Sequence, residues 1–514
     1  MQLKAAPLEI EAGGPLVVVM NQQDAAELGV ISSDRIFLRH GENHVICILN
    51  IGTENVPGEL GLYREVTNRL GVSEGEMVSV ELARRPESVD YIREKVNGQR
   101  LTSWKIERIV GDTVERRLSD IELAAFVTAL HVHGVSMEEV AALSRSMIWS
   151  GKTLNFGRSP ILDKHSIGGV PGDKTTLIVV PIIAAAGYTI PKSSSRAITS
   201  PAGTADRMEV LAPVDLHFDS IREIVENVGA CIVWGGSIDL APADDLFIRI
   251  EYPLSIDPLL LPSIMSKKKA MGSTHVVIDI PVGIDAKIKA LGEAEQLAND
   301  FIELGSRFDM HIECAVTEGS QPIGYNIGPV LEAREAMETL MGEGPHELVD
   351  KATNLAGILL EMVGHEDGKQ MAHTLLAKGK AMGKMREIIG AQGGDPEVTL
   401  DDLAPGKYTH DVPASRDGRV LWFNNRDLVR IARAAGTPGS KGAGVKLFAK
   451  TGDRVEEGEP LFRIYSESAN KLENAVRALE TQHPMEVGAK VGEDMLKKRI
   501  GKPTAPSREF ILER

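Results

Sequence analysis

The chain has 514 residues, of which 43% are hydrophobic and 25% charged, a balance that excludes wholesale disorder. Its formal net charge of −16 argues against general binding to nucleic acid or an anionic membrane, so any anion must meet a local, preorganised site. Three widely separated cysteines exclude a disulfide framework and favour a reducing, cytoplasmic location, and we expect neither a signal peptide nor a transmembrane helix.

Residues 1–84 carry the pattern of a small β domain. Two apolar stretches, 36–38 and 45–49, flank the turn-like residues 40–43, which is typical of a hairpin. Residues 75–82 alternate between apolar and polar side chains, as a half-buried strand does. Several short strands in so few residues predict a small β barrel.

The next region, residues 85–155, changes to a helical period. Ser119 with Glu122 and Ser136 with Glu139 form two capping boxes, each opening a run of apolar residues spaced three or four apart. In a capping box the two side chains satisfy backbone N–H groups that the start of a helix leaves unpaired. These patterns predict a compact helical domain.

Residues 156–414 alternate β-branched runs with helical stretches, and residues 415–514 return to strands. The runs 230–234 and 275–280 are almost wholly apolar, which is typical of parallel strands buried on both faces. A strand–turn–strand pattern over 444–464 resembles the hairpin of biotinyl or lipoyl carriers without their modified lysine. The chain is therefore expected to be a multidomain α/β protein with a C-terminal α+β, barrel-like domain that carries no cofactor.

A glycine-rich stretch, residues 164–176, is the first candidate site. Glycines let backbone N–H groups turn toward an anion, and the N-terminus of a following helix adds partial positive charge. Lys164 and Ser166 would add a charge and a hydroxyl group. The stretch is not a P-loop, because Asp173 stands where the motif needs glycine, and an ordinary glycine-rich turn would have the same residues.

A second candidate, residues 192–206, is rich in serine and threonine. Hydroxyl groups and backbone amides suit phosphate or ribose oxygens, and Arg196 would offer a bidentate fork. A solvated surface loop is the alternative interpretation. The apolar residues on both sides favour burial instead, and a buried polar loop must find partners for its polar groups.

Asp257 is the third candidate, although an aspartate before proline is usually a turn residue. The lysine run 267–269, and Lys287 with Lys289, are typical of a solvated face. Neither a zinc-binding histidine motif nor a nucleophile elbow is present, so no metal site is predicted.

Together these stretches resemble the thymidine/pyrimidine-nucleoside phosphorylase family over about residues 88–514. The shared motifs are a phosphate loop, a serine–arginine signature ending in glutamate, a base-binding helix and a proline–glycine string, at residues 164–169, 172–174, 194–197, 203–206, 209, 263–268 and 320–324. The nucleoside enzymes have a different string at 198–204. That string, the one at 166–174 and the extra β domain are similar to those of a sister group, the archaeal-type AMP phosphorylases.

The resemblance implies phosphorolysis of nucleoside 5′-monophosphates. AMP would give adenine and ribose 1,5-bisphosphate, with CMP and UMP as further substrates, inorganic phosphate as co-substrate and no cofactor. The family's nucleotide-binding positions match Gly169, Ser195, Arg196, Ala197, Ile198, Thr199, Ser200, Thr204, Ser263 and Lys287. Phosphate-binding positions of the nucleoside enzymes match Lys164, Ser166, Thr176, Ser194 and Thr204, and the family's proton donor matches Asp257.

The same resemblance implies a helical domain, completed by a segment at about 238–270, that faces the α/β domain across the active-site cleft in a homodimer or larger homo-oligomer. Asp257 would have to be protonated near neutral pH, so its surroundings should be apolar or acidic. Three alternatives stay open: a thymidine or pyrimidine-nucleoside phosphorylase, a phosphoribosyltransferase and a non-catalytic nucleotide sensor.

Overall fold

Six strands close into a barrel at the start of the computed structural model, which describes residues 1–13, 16–53, 55–83, 85–197 and 200–488. Its elements are β1 Gln2–Pro7, β2 Val17–Asn21, α1 Gln22–Leu28, β3 Arg35–His40, β4 Asn43–Gly52, β5 Glu59–Leu62, α2 Arg64–Leu70 and β6 Met77–Leu82. The order around the barrel is β1-β5-β2-β4-β3-β6, and the interior is filled by buried aliphatic side chains. The predicted hairpin is confirmed as the antiparallel pair β3–β4.

A helical bundle follows, with both capping boxes confirmed at the starts of its last two helices. The bundle helices are α3 Ser88–Val96, α4 Ser103–Val114, α5 Asp120–His133 and α6 Met137–Trp149. Their apolar faces share one core with a segment that comes much later in the chain. In that core Phe126 packs against Phe247, with ring centroids 6.0 Å apart.

Residues beyond the bundle form a parallel sheet covered by helices. Its elements are β7 Leu162–Ser166, α7 Thr176–Ala185, β8 Ile190–Ser194, α8 Thr204–Met208, α9 Phe218–Val228, β9 Ala230–Trp234, α10 Pro242–Leu254, α11 Leu260–Ala270, β10 His275–Val282, α12 Leu291–Ser306, β11 His311–Glu318, β12 Asn326–Ile327, α13 Pro329–Leu340, α14 His346–Met362, α15 Gly368–Ala377 and α16 Lys380–Ala391. The two apolar runs predicted as parallel strands are confirmed as β9 and β10.

The sheet has two parallel parts, β11-β10-β7 and β8-β9, linked by a parallel bridge between Ile161 and Thr189. All five strands point the same way, so their carboxyl ends lie at one edge. Helices α10 and α11 interrupt this unit and pack on the bundle, α10 on α4 and α5, and α11 on α6. The bundle therefore borders the carboxyl edge of the sheet through α11.

The C-terminal part is built from strands and two helices. Its elements are β13 Tyr408–Pro413, β14 Gly418–Phe423, α17 Asn425–Ala435, β15 Gly444–Leu447, β16 Arg454–Val455, β17 Pro460–Ser466, α18 Ala469–Ala478 and β18 Met485–Gly488. We expected a barrel-like arrangement, but as far as residue 488 the strands form two separate sheets, β12-β15-β17-β13 and β16-β14-β18. One reason is that β12, a strand of the preceding α/β part, occupies an edge of the first sheet.

The described residues contain neither a candidate membrane-spanning helix nor a candidate metal cluster. No helix there combines the length and the apolar character needed to cross a membrane. Within the same residues no three or more histidine, cysteine, aspartate or glutamate side chains are placed to hold a metal ion.

Candidate active site

The candidate residues follow the carboxyl ends of the parallel strands. The glycine-rich stretch continues from β7, the serine-rich stretch from β8, and Lys287 lies in the segment after β10. In open α/β sheets this edge is where ligands bind, because loops from neighbouring strands meet there. We call residues 164–176 the glycine loop and residues 195–204 the hydroxyl loop.

The glycine loop is built around a fully buried lysine. Lys164 Nζ donates to Thr175 Oγ1 at 2.8 Å and lies 3.5 Å from Asp173 Oδ2. Burial alone would raise the pKa of Asp173, but Lys164 and Lys351, together with the Thr175 hydroxyl, hold it well below its usual range. Thr176 begins α7 and is buried, while Ser166 Oγ accepts the N–H of Gly168 at 3.4 Å.

Beneath the loop, two further buried lysines converge on one carboxylate. Lys268 Nζ donates to Asp163 Oδ2 at 2.7 Å, and Lys192 Nζ lies 3.6 Å from Asp163 Oδ1. Burial, and then the neighbouring Lys268, lowers the pKa of Lys192 well below its ordinary value. Three lysines, Lys164, Lys192 and Lys268, are therefore gathered at this part of the sheet.

The lysine run on α11 is not the solvated face that we predicted. Lys268 is only 1% exposed, and Lys267 is paired with Asp244 at 2.5 Å. Burial alone would lower the pKa of Lys267, but the Asp244 carboxylate raises it. Ser263 Oγ donates to the same carboxylate at 2.9 Å, so α10 and α11 present one polar cluster.

His165 is a functional candidate that the sequence did not single out. It lies on β7 between Lys164 and Ser166, facing the lysines of α11. Burial, then Lys268 and Lys192, lowers the pKa of His165 well below its ordinary value. A neutral imidazole offers both a donor and an acceptor to a ligand.

The Arg196 guanidinium in the hydroxyl loop is already engaged. It donates to both carboxylate oxygens of Glu209, at 2.6 and 2.8 Å, and lies 4.9 Å from the centre of the Trp234 ring. The fork that we expected to be available to a ligand is therefore filled by Glu209. The Arg196 hydrogen bond, together with Lys441, lowers the pKa of Glu209 to about 2.

Asp206 determines the shape of the hydroxyl loop. One of its carboxylate oxygens accepts the N–H of Ala197 at 2.7 Å and the N–H of Gly203 at 2.9 Å, which joins the two ends of the loop. A side chain at Gly203 would lie 2.6 Å from the Ser195 carbonyl, so only glycine fits this crossing.

Among the hydroxyl groups of this region, Ser200 Oγ donates to the Ala202 carbonyl at 3.2 Å, and Ser194 Oγ to the Val233 carbonyl at 3.3 Å. Thr204 begins α8 and is half-buried, whereas Ser195 is exposed. The predicted residues Ile198 and Thr199 lie outside the described residues.

The structure brings Gly169, Lys287 and Asp257 together. A side chain added at Gly169, whose φ is +94°, would lie 2.8 Å from the Lys287 backbone nitrogen. Lys287 Nζ in turn donates to Asp257 Oδ2 at 2.8 Å, which joins the segment after β10 to the turn between α10 and α11. The ion pair therefore links the sheet unit to helices that pack on the bundle.

The surroundings of Asp257 differ from those expected of a buried acid. Its side chain is 43% exposed, and a lysine is its partner. The buried carboxyl group nearby is Glu251 on α10, which accepts the N–H of Leu259 at 3.1 Å. Burial, and then the charge of Asp257, raises the pKa of Glu251 to about 8.

Sequence reasoning missed the residues that support the site from below or behind. Three of them, Asp163, Asp244 and Glu251, lie outside the motifs, and the others lie within the candidate stretches or motifs but were given no role of their own: His165, Lys192, Glu209 and Lys268. What reveals them is burial together with a charged partner, which is typical of functional sites.

Three family models match the chain. The helical bundle domain of a glycosyl transferase family matches residues 89–151, and the a/b domain of the same family matches residues 158–382. A pyrimidine nucleoside phosphorylase C-terminal domain matches residues 422–486.

Full-length relatives are more specific. The chain is 48% identical over 514 residues to an AMP phosphorylase of Thermofilum pendens, with 100% of both chains covered. It is 49% identical to the AMP phosphorylase of Pyrococcus furiosus over 95% of this chain and 98% of the relative. An anthranilate phosphoribosyltransferase from Thermus thermophilus matches in fold, with a TM-score of 0.50 and 18% identity over 59% of this chain and 99% of that chain.

Proposed function

The chain belongs to the AMP phosphorylase family, and on that premise we propose that it cleaves AMP with inorganic phosphate to adenine and ribose 1,5-bisphosphate. The observation that carries the proposal is the pair of neighbouring loops at one sheet edge, each able to bind an oxyanion. A phosphorolytic enzyme that acts on a nucleotide needs two such sites, one for the attacking phosphate and one for the 5′-phosphate.

The attacking phosphate binds in the glycine loop. Lys164, with Ser166, Ser194, Thr176 and the N-terminus of α7, supplies positive charge and donors at the end of β7. The bond between C1′ and the base nitrogen breaks as a phosphate oxygen approaches C1′, and positive charge develops on the ribosyl ring. A fixed dianion beside that ring stabilises the charge in the transition state.

The 5′-phosphate binds in the hydroxyl loop. The hydroxyl groups of Ser195, Ser200 and Thr204 provide neutral donors for its oxygens. Arg196 contributes by holding the loop on Glu209, because its guanidinium is occupied there. Recognition of the 5′-phosphate leaves the base less constrained, and CMP and UMP are therefore further substrates.

Asp257 protonates the departing base. The electron pair of the broken bond moves onto the base, and a proton from a carboxylic acid neutralises it, an effect worth about 10²–10⁴-fold. Lys287 Nζ pairs with Asp257 Oδ2 at 2.8 Å. We assign Lys287 to the nucleotide, so that in the complex it turns from Asp257 to the substrate and frees the carboxyl group to face the base.

Product analysis tests the proposed function directly. Purified protein is incubated with AMP and phosphate, and free adenine and a bisphosphorylated pentose are sought by chromatography and mass spectrometry. Reactions lacking phosphate, and reactions with adenosine or thymidine, are the controls. Turnover of thymidine but not AMP would identify a nucleoside enzyme, and AMP binding without products would identify a nucleotide sensor.

The acid role has its own test in Asp257→Asn, which keeps the shape and removes the proton donor. We expect kcat for AMP to fall by about 10²–10⁴-fold with KM little changed. Asp285→Asn is the control, because Asp285 lies in the same segment as Lys287 and has no role in the proposal. Full activity in Asp257→Asn would remove Asp257 from the mechanism.

A further inference from the structure

The side chains of two lysines in the C-terminal part contact residues that support the glycine loop and the hydroxyl loop. Lys441 lies between α17 and β15, and Lys450 lies just after β15. The ammonium group of each lysine forms an ion pair with a carboxylate in the α/β part of the chain. Both lysines contact residues that support the loops and not the loops' predicted ligand-binding side chains, so we assign neither a catalytic role.

Lys441 acts on the hydroxyl loop through Glu209. Its ammonium group is paired with the Glu209 carboxylate and lies 3.7 Å from Asp206 Oδ1. Glu209 is the residue that binds the Arg196 guanidinium with both oxygens. Lys441 is therefore a second cationic partner of the Glu209 carboxylate. Without it, Glu209 would carry its negative charge behind the loop with Arg196 as its partner.

Asp206 links this contact to the backbone of the hydroxyl loop. The carboxylate near Lys441 is also the one that accepts the N–H groups of Ala197 and Gly203. Because Asp206 joins the two ends of the hydroxyl loop, small shifts of Asp206 would move the hydroxyl groups that we assign to the 5′-phosphate. Displacing a ligand-binding group by ~1 Å can reduce activity about a hundredfold.

Lys450 acts on the glycine loop through a neighbouring segment. Its buried ammonium group donates to the carbonyls of Pro322 and Gly324 and pairs with Glu347 at 2.7 Å. Between those two carbonyls, Ile323 donates its N–H to the Pro171 carbonyl of the glycine loop at 3.1 Å.

The glycine loop is close-packed on that segment. A side chain at Gly172 would lie 2.6 Å from the Ile323 carbonyl, so the two backbones touch. Lys174 Nζ also donates to the Ile323 carbonyl, at 2.9 Å. Movement of residues 322–324 would therefore be transmitted to the glycine loop.

We propose that Lys441 and Lys450 are positioning residues of the C-terminal domain, Lys441 for the nucleotide and Lys450 for the attacking phosphate. The proposal rests on the proposed function for the identity of the two ligands. The C-terminal domain would then help to shape the active site directly, with one lysine acting on the site of each substrate.

The kinetic test separates the two lysines by substrate. Lys441→Ala is expected to raise KM for AMP about tenfold and to leave KM for phosphate within about twofold, whereas Lys450→Met should do the reverse. Lys441→Arg should restore the wild-type KM for AMP, because arginine keeps the charge. Lys446→Ala is the control, since Lys446 is an exposed lysine of the same domain. Equal changes in both KM values, or values like the control, would overturn the proposal.

A second measurement does not depend on catalysis. Hydrogen exchange followed by mass spectrometry should show about tenfold faster exchange at Ala197 and Gly203 in Lys441→Ala, and at Ile323 in Lys450→Met, with Lys446→Ala unchanged. Uniform faster exchange throughout the chain would indicate general destabilisation and contradict the proposal. If the wild-type protein released no adenine, the proposed function would fail, while this comparison would still decide the positioning role.

Discussion

The glycine loop and the hydroxyl loop follow neighbouring strands of one sheet, yet they are held in opposite ways. The glycine loop is supported from within, by the buried Lys164 and by glycines that allow close backbone contact. The hydroxyl loop is supported from behind, by carboxylates of and just after α8 that bind its backbone and its arginine. Of the two oxyanion sites that we propose, one is therefore preformed by the sheet, whereas the other depends on a layer of side chains outside it.

Among changes in the two loops, the largest effect is expected from Lys164→Ala, because it removes the buried cation of the glycine loop. The kcat/KM for phosphate should fall by about 10²–10³-fold, to the same extent with AMP and with CMP. Initial rates at varied phosphate concentration measure this. Lys378→Ala, an exposed lysine of the same unit, is the control. A loss that differed between the two nucleotides would show that the glycine loop also contacts the base.

Gly169→Ala should have the next largest effect, about a hundredfold on kcat/KM, because the new Cβ would lie 2.8 Å from the Lys287 backbone nitrogen. Gly168→Ala is a matched control, since Gly168 also has a positive φ, +80°, but no atom within 4 Å of an added Cβ. Both substitutions place a non-glycine residue at a positive φ and cause backbone strain, but only Gly169→Ala would displace Lys287. Equal losses would mean that strain, and not the contact with Lys287, determines activity.

Ser200→Ala tests the hydroxyl loop and should reduce kcat/KM for AMP about tenfold. This is the loss expected when one hydrogen bond to a charged group is removed. Activity on adenosine, however low, should not change, because adenosine lacks the 5′-phosphate. Ser194→Ala should instead reduce both activities, because Ser194 is assigned to the attacking phosphate. Steady-state rates with the two substrates decide the matter, and equal losses in Ser200→Ala would refute a 5′-phosphate role.

Glu251, an acid outside both loops, is expected to affect stability in a way that depends on pH. The pKa of Glu251 is raised to about 8 in the folded protein, against 4.5 for an ordinary glutamate. Between those values the folded state keeps a proton that the unfolded state loses, so stability falls as pH rises, by at most about 1.4 kcal/mol per pH unit. Glu251→Gln should remove that slope. Denaturant unfolding of both proteins from pH 5 to 8 measures it, and parallel curves would contradict the assignment.

Much of this arrangement could be predicted from the sequence. The capping boxes and the apolar runs determine helices and strands locally, so the helical bundle and strands β9 and β10 were predictable. Placing the candidate loops at one edge needed only the rule that parallel strands end on the same side.

Other features depend on contacts between distant residues, which no local pattern encodes. Lys268 can be buried because the Asp163 carboxylate, more than a hundred positions earlier in the chain, accepts a hydrogen bond from its ammonium group at 2.7 Å. The bidentate fork of Arg196 is occupied because Glu209 lies within hydrogen-bond distance, and the guanidinium is 4.9 Å from the centre of the Trp234 ring. As far as residue 488, the C-terminal strands form two sheets, and one of them includes β12 from the α/β part.

That pairing of β12 with β15 has a consequence for how such a chain could arise or be shortened. Asn326 and Ile327 form part of the C-terminal sheet, although more than eighty residues of helix and loop separate them from β13. A recombination joint or an engineered stop codon placed before β13 would leave an unpaired strand on the remaining portion. The C-terminal part of the chain is thus interlocked with the α/β part, and we expect the two parts to be inherited together.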